Sequence, residues 1–160
     1  MKPKIYIETS IISYLTSRSS RDVVVAGRQQ LTQIWWNERR HHFDLYISPI
    51  VLREISAGDV SAAAERQRVV ASIPILELRK DVFDLTKQFL AKGSIPKNAA
   101  DDAFHIALAT IYGIDYLMTW NCTHIANASI RKVLEKLIHN AGYFCPIICT
   151  PDELMGELAL

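Results

Sequence analysis

Acidic residues recur in this sequence where short apolar runs give way to helical patterns. Glu8 follows the run Lys4–Ile7 and is followed by Thr9 and Ser10. Glu54 lies about one and a half helical turns past Pro49. Asp101 and Asp102 open a later helical pattern, and Thr119-Trp120-Asn121-Cys122-Thr123-His124 adds an amide and an imidazole. Carboxylates gathered at one place repel each other, and a divalent cation offsets that repulsion. Mg²⁺ takes oxygen ligands, using few protein carboxylates together with waters and substrate phosphates. Such a site can activate water, orient a phosphodiester and stabilise the leaving oxygen. The residues alone therefore point to a Mg²⁺ or Mn²⁺ phosphoryl-transfer site.

Each residue also has a plainer reading. Glu8 fits a solvated charge at a strand end equally well, and Glu54 taken singly reads better as an exposed helix residue. Asp101 reads as support for a helix start, because Asn98-x-x-Asp101 resembles an N-cap with its acid three residues on. Asp102 differs, since Asp102, His105, Ile106 and Ala109 fall on one helical face. A carboxylate heading an apolar stripe belongs at the core rim, and His105 on that stripe reads as a packed, hydrogen-bonded core histidine. Thr9, Ser10 and Thr119 serve either to orient carboxylates or to cap turns. Asn121 is either a turn residue or a donor to carboxylate or phosphate, and His124 a ligand, a phosphate contact or a surface residue. A zinc site from Cys122, His124, Cys145 and Cys149 lacks the paired C-x₂-C spacing. Trp35-Trp36 reads as core plus rim.

The elements that must position these residues alternate. Strands are expected at 4–7, 43–48, 73–78 (the weakest), 115–119 and 144–149. Helices are expected at 22–41, with Val24, Leu31, Ile34 and Trp35 as its stripe, and at 49–57, 60–71, 81–92, 98–112 and 129–139. Gly58, Gly93 and Gly113 stand where helices should stop, and Thr150-Pro151-Asp152-Glu153 reads as a capping box opening a last short helix. Strand–helix alternation predicts an α/β sandwich with a mainly parallel sheet. In such sheets ligands bind beyond the carboxyl ends of the strands, where the acids stand.

Composition agrees with a globular chain. Apolar residues make up 49% and charged residues 22% of 160, which excludes disorder, collagen and a disulfide scaffold. Eighteen basic against seventeen acidic residues leave a net charge of +1, so a broadly basic nucleic-acid coat is absent. Arg18, Arg21, Arg39, Arg40 and Lys97 form either a local patch or a solvated face. Three cysteines, no signal-peptide pattern and no long apolar run lead to the expectation of a cytoplasmic protein without a membrane segment.

Four segments in order, I-Y-I-E-T-S at 5–10, I-S-P-I-V-L-R-E-I at 47–55, D-D-A-F-H-I-A-L-A at 101–109 and L-M-T-W-N at 117–121, resemble the PIN-domain family, and within it the VapC-like toxins of toxin–antitoxin pairs. The resemblance implies one PIN-like domain over residues 1–160, a three-layer α/β/α sandwich around a mainly parallel sheet. It implies a Mg²⁺- or Mn²⁺-dependent endoribonuclease, a small cognate antitoxin and a homodimer. Glu8, Glu54 and Asp102 match the family's metal-holding acids, with Asn121 joining them in the catalytic set and Thr9, Ser10, Asp101, Thr119 and His124 in support. Two positions depart from the pattern. Glu8 stands where aspartate is usual, one methylene longer, and His124 replaces a fourth acid, leaving an imidazole that can bind Mn²⁺ or, if protonated, contact phosphate. These departures leave open a catalytically weak or inactive module that binds RNA or a protein partner. A receiver-like phosphoacceptor domain is disfavoured because no lysine follows the last expected strand.

Overall fold

The computed structural model describes residues 1–92 and 95–156. Four strands, β1 (Lys4–Ile7), β2 (Asp44–Tyr46), β3 (Tyr116–Met118) and β4 (Ile147–Cys149), form one sheet in the order β2-β1-β3-β4. Every pairing is parallel, with Tyr6 opposite Tyr46 on one side and Leu117 on the other, and Leu117 opposite Ile148. Ile5, Tyr6 and Ile7 are fully buried in succession, as expected of a central parallel strand covered on both faces.

Seven α-helices accompany the sheet among the described residues: α1 (Thr9–Thr16), α2 (Val23–Glu38), α3 (Pro49–Ile55), α4 (Val60–Val70), α5 (Lys80–Lys92), α6 (Ala100–Ile111) and α7 (Ala128–Asn140). The chain steps from β1 to β2 in one direction, then returns past β1 to β3 and on to β4. Right-handed crossovers in opposite directions place helices on opposite faces. α1 packs with α2, α3 and α4, while α5 packs with α6 and α7. The result is the expected three-layer α/β/α sandwich. Ser48, Asp59 and Asn127 cap the starts of α3, α4 and α7, and Gly58 and Gly113 adopt positive φ just beyond α3 and α6, a conformation glycine enters freely.

Several expectations need correction. The segment 73–78 is not a strand, because Pro74 cannot donate to a ladder and only a bridge from Ile75 to Ile47 forms. The sheet therefore has four strands rather than five. Residues 9–16, given no element in the sequence, form α1, capped by the Glu8 side chain. The buried residues of α2 are Gln29, Thr32, Trp35 and Trp36, whereas Val24 is exposed. Gln29 turns inward because its amide donates to Ser17 Oγ and the Arg18 carbonyl and accepts from the Ser20 amide. Asn98 does not cap α6, since it lies in a 3₁₀ turn at Lys97–Ala99 and Ala99 occupies the cap position. The reciprocal capping box of Thr150 and Glu153 forms, but it opens a 3₁₀ turn, Pro151–Leu154. The helix stop assigned to Gly93 lies outside the described residues.

Ile106 is fully buried on α6 and Val133 lies at the exposed edge of α7. In urea unfolding, Ile106→Ala is expected to lose about 2–5 kcal/mol. Val133→Ala is expected to stay within about 0.5 kcal/mol of the parent, apart from its small propensity gain.

Candidate active site

The strand order reverses between β1 and β3, and ligands of open parallel sheets bind in the crevice beyond the carboxyl ends at such a point. Glu8 leaves β1 there and Thr119 leaves β3. The Glu8 amide continues the ladder to the Met118 carbonyl at 3.1 Å. The Glu8 carboxylate then turns back over its own helix. Its Oε2 accepts from the Ser10 amide at 3.0 Å, from Ser10 Oγ, and from Thr119 Oγ1 at 2.7 Å. Ser10 Oγ also accepts from the Trp120 amide at 2.8 Å and Thr119 Oγ1 from the Asn121 amide at 2.9 Å. Two hydroxyls thus stitch the ends of β1 and β3 together through one carboxylate oxygen. Glu8 is only 4% exposed, so it is not a solvated strand-end charge.

Glu54 reaches the same region from the last turn of α3. Its Oε1 accepts from Thr9 Oγ1 at 2.8 Å and from His105 Nε2 at 2.7 Å. His105 is fully buried, and its Nδ1 lies 2.7 Å from the Tyr6 hydroxyl, which lies 2.7 Å from Ser48 Oγ. A carboxylate only accepts, so Nε2 carries the hydrogen. In the neutral ring Tyr6 donates to Nδ1. In the charged ring Nδ1 donates to the Tyr6 oxygen and Tyr6 donates onward to Ser48. The core histidine expected from sequence is therefore also the residue that orients Glu54. The sequence signal for this link was weak: three polar residues, Tyr6, Ser48 and His105, at otherwise apolar positions.

Asp102 opens α6 at the rim. Its Oδ2 accepts from His124 Nδ1 at 2.8 Å, a contact between residues far apart in sequence that no local pattern announces. Asn121 Oδ1 accepts from the Thr123 and His124 amides at 3.2 and 3.1 Å. Asn121 therefore shapes the turn that presents His124, and its side-chain carbonyl is directed to that turn. Asp101 makes no hydrogen bond to these groups and pairs with Arg53 at 2.5 Å. Glu54, Asp101, Asp102 and His124 line one open cleft of about 410 Å³ with Asn98, Ala99 and Ala100. Glu8 is not among the residues lining it and is held by Thr119 and Ser10 at the ends of β3 and β1.

Each of the three carboxylates uses one oxygen in these bonds. Glu8 Oε1, Glu54 Oε2 and Asp102 Oδ1 have no protein hydrogen-bond partner among the described residues. This hard-oxygen donor set fits Mg²⁺ or Mn²⁺ in chemistry. Among the described residues, no three His, Cys, Asp or Glu side chains yet converge closely enough to hold an ion. The zinc reading gains nothing, because burial pushes the Cys145 thiol up to about 11 and the Cys149 thiol up to about 12, leaving both protonated at neutral pH.

Electrostatics tie Glu54 to His105. Burial pushes the Glu54 carboxyl upward, but the His105 hydrogen bond and charge, with help from Thr9 and Arg53, outweigh it and leave the pKa below its ordinary 4.5. Burial pulls His105 downward, and the Glu54 hydrogen bond with the charges of Glu8, Glu54 and Asp102 overcomes it, leaving the pKa above its ordinary 6.5. A lowered acid stabilises the fold above its unfolded pKa, and a raised histidine stabilises it below its own. Both contributions are present together between 4.5 and 6.5. The thermal midpoint should fall below that window as Glu54 protonates and above it as His105 loses its proton. His105→Asn should flatten both limbs in a pH series of unfolding scans, and an unchanged profile would contradict the pairing.

Residues 5–121 match the family model of the PIN domain. Among solved structures, VapC20 of Mycobacterium tuberculosis, described as a sarcin-ricin loop cleaving toxin, superposes with a TM-score of 0.59 at 16% identity, over 88% of this chain and 96% of that one. VapBC2 from Rickettsia felis, bound to a DNA fragment from its promoter, gives 0.51 at 15% identity, over 91% and 97%. At such identities the likeness is one of fold. No curated protein sequence matches the chain. Among the described residues no helix is long and apolar enough to cross a membrane. The family match spans both central strands and all three carboxylates, and on it the chain belongs to the PIN-domain family.

Proposed function

We propose that this chain is a Mg²⁺- or Mn²⁺-dependent endoribonuclease of the VapC toxin type, acting in the cytoplasm and held in check by a small cognate antitoxin. One observation carries the reading. Glu8, Glu54 and Asp102 approach the reversal point of the sheet with one oxygen fixed by the protein and the other left without a protein partner. Those three residues would hold the cation, which when bound supplies charge stabilisation and water activation at a phosphodiester. The chain's own residues supply the orientation. Thr119 and Ser10 fix Glu8, His105 and Thr9 fix Glu54, and His124 fixes Asp102. Asn121 sets the turn that carries His124 into the cleft.

The sarcin-ricin loop cleaved by VapC20 supports RNA as the substrate class, and the VapBC2 complex supports a partner protein. An antitoxin segment lying across the cleft with an arginine on the carboxylates would block it by charge-assisted hydrogen bonding. A homodimer completes the proposed assembly. The structural match at such low identity supports these readings through the shared fold.

A second reading rests on His124. Its ring occupies Asp102 Oδ2 where the family pattern has another acid, which favours a module with weakened catalysis that still binds RNA or a partner. Incubation of total RNA with the purified protein in EDTA, Mg²⁺ or Mn²⁺, beside Asp102→Asn, separates the two. Discrete products that require metal and fall at least a hundredfold in Asp102→Asn are the expected result, comparable to losing a positioned charge in the transition state. Intact RNA in every lane, with RNA binding retained by both proteins, would favour the binding module.

A further inference from the structure

We propose that Arg28 is a substrate-binding residue that holds a backbone phosphate of the RNA beside the acidic cleft. The inference rests on the RNA-substrate reading and names a residue outside the four matched segments. Arg28 lies on α2, and its guanidinium sits over the Trp120 ring at 5.3 Å from the centroid. One guanidinium nitrogen lies 3.9 Å from Cys122 Sγ. Cys122 is in the middle of the turn whose two ends are tied to the site, with Thr119 on Glu8 and His124 on Asp102. Three residue steps separate Cys122 from Thr119, no more than about 11 Å of backbone.

The platform under Arg28 is rigid. Trp120 is buried, its amide donates to Ser10 Oγ, and its indole nitrogen donates to Thr32 Oγ1 at 2.7 Å. Thr32 in turn donates to the Arg28 carbonyl at 2.6 Å, so helix and indole are tied together and the guanidinium rests on that indole. Tyr14 packs against the same indole. Arg53, Arg68, Arg79 and Lys80 are each paired with a carboxylate, whereas Arg28 has no such partner among the described residues. A guanidinium resting on an aromatic face keeps its N–H fork for a phosphate. An acidic cleft repels a polyanion, and a fixed cation beside it is what a bound strand needs. Trp120 thereby gains a role beyond packing, as the support that holds this cation.

The test is binding without cleavage. A fluorescein-labelled, mixed-sequence single-stranded RNA of twelve nucleotides is titrated in EDTA across a salt series by anisotropy. The proteins are wild type, Arg28→Ala, Arg28→Lys and Arg79→Ala. Arg79 is the control for loss of one arginine elsewhere, stacked on Tyr112, which lies before β3 at the opposite end of the sheet, and paired with Asp81. Removing one single-strand phosphate contact lowers the log–log salt slope by about 0.7 and weakens binding about fivefold at 0.1 M salt. Arg28→Ala should show both changes, Arg28→Lys should keep the slope and lose part of the affinity, and Arg79→Ala should match wild type. Thermal scans confirm that the variants fold. Wild-type binding with an unchanged slope in Arg28→Ala would overturn the role of Arg28 alone, and so would an equal loss in Arg79→Ala. No RNA binding by wild type, or binding only of an acidic peptide, would overturn the RNA reading and this inference together. An Arg28 effect on binding beside absent metal-dependent cleavage would uphold the inference and overturn the nuclease.

Discussion

One oxygen of Glu8 joins the carboxyl ends of β1 and β3 by accepting from the amide and hydroxyl of Ser10 and the hydroxyl of Thr119. The rest of the site hangs on this junction. It closes the reversal point of the sheet, starts α1 in the direction that brings Thr9 to Glu54, and sets where the 119–124 turn begins. The same hydroxyls accept from the Trp120 and Asn121 amides, so the turn carrying His124 and the platform under Arg28 are positioned from that point too. Each of the three carboxylates has donors of its own, Ser10 and Thr119 for Glu8, Thr9 and His105 for Glu54 and His124 for Asp102, which favours its charged form.

The two departures that the sequence resemblance implies, Glu8 and His124, have structural counterparts. Glu8 places its carboxylate at the start of α1 as the cap of its own helix, and an anion at a helix start is favoured by the helix dipole. His124 donates to Asp102 rather than adding a negative charge. The cluster thereby carries less repulsion and one more donor. Glu54 receives the corresponding support from His105, which Tyr6 and Ser48 back from inside the core. The site is built as three carboxylates, each braced from behind.

Much of this was legible in the residues. The apolar run of β1, the Pro49 start of α3, the stripe headed by Asp102 and the capping box at Thr150 all follow from local periodicity and cap chemistry. Local signals failed where a tertiary partner decides. The segment Thr9–Thr16 is short and rich in β-branched and hydroxyl residues, poor helix formers by themselves, and it becomes a helix because Glu8 caps it and Ile11 and Ile12 find the core. Ile73–Leu78 looks like a strand until Pro74 meets a sheet edge. The pairings of Glu54 with His105, Asp102 with His124, and Asp101 with Arg53 join residues on separate elements, and no spacing in one sequence encodes them.

The central claim is that the three carboxylates keep one oxygen each for a divalent cation. Its most direct measurement is a Mn²⁺ titration of the protein followed by electron paramagnetic resonance, beside Glu8→Gln, Glu54→Gln and Asp102→Asn. Saturable binding by wild type, weakened at least tenfold in each single variant, is the expected result. Absent binding, or binding that all three variants retain, would contradict the account.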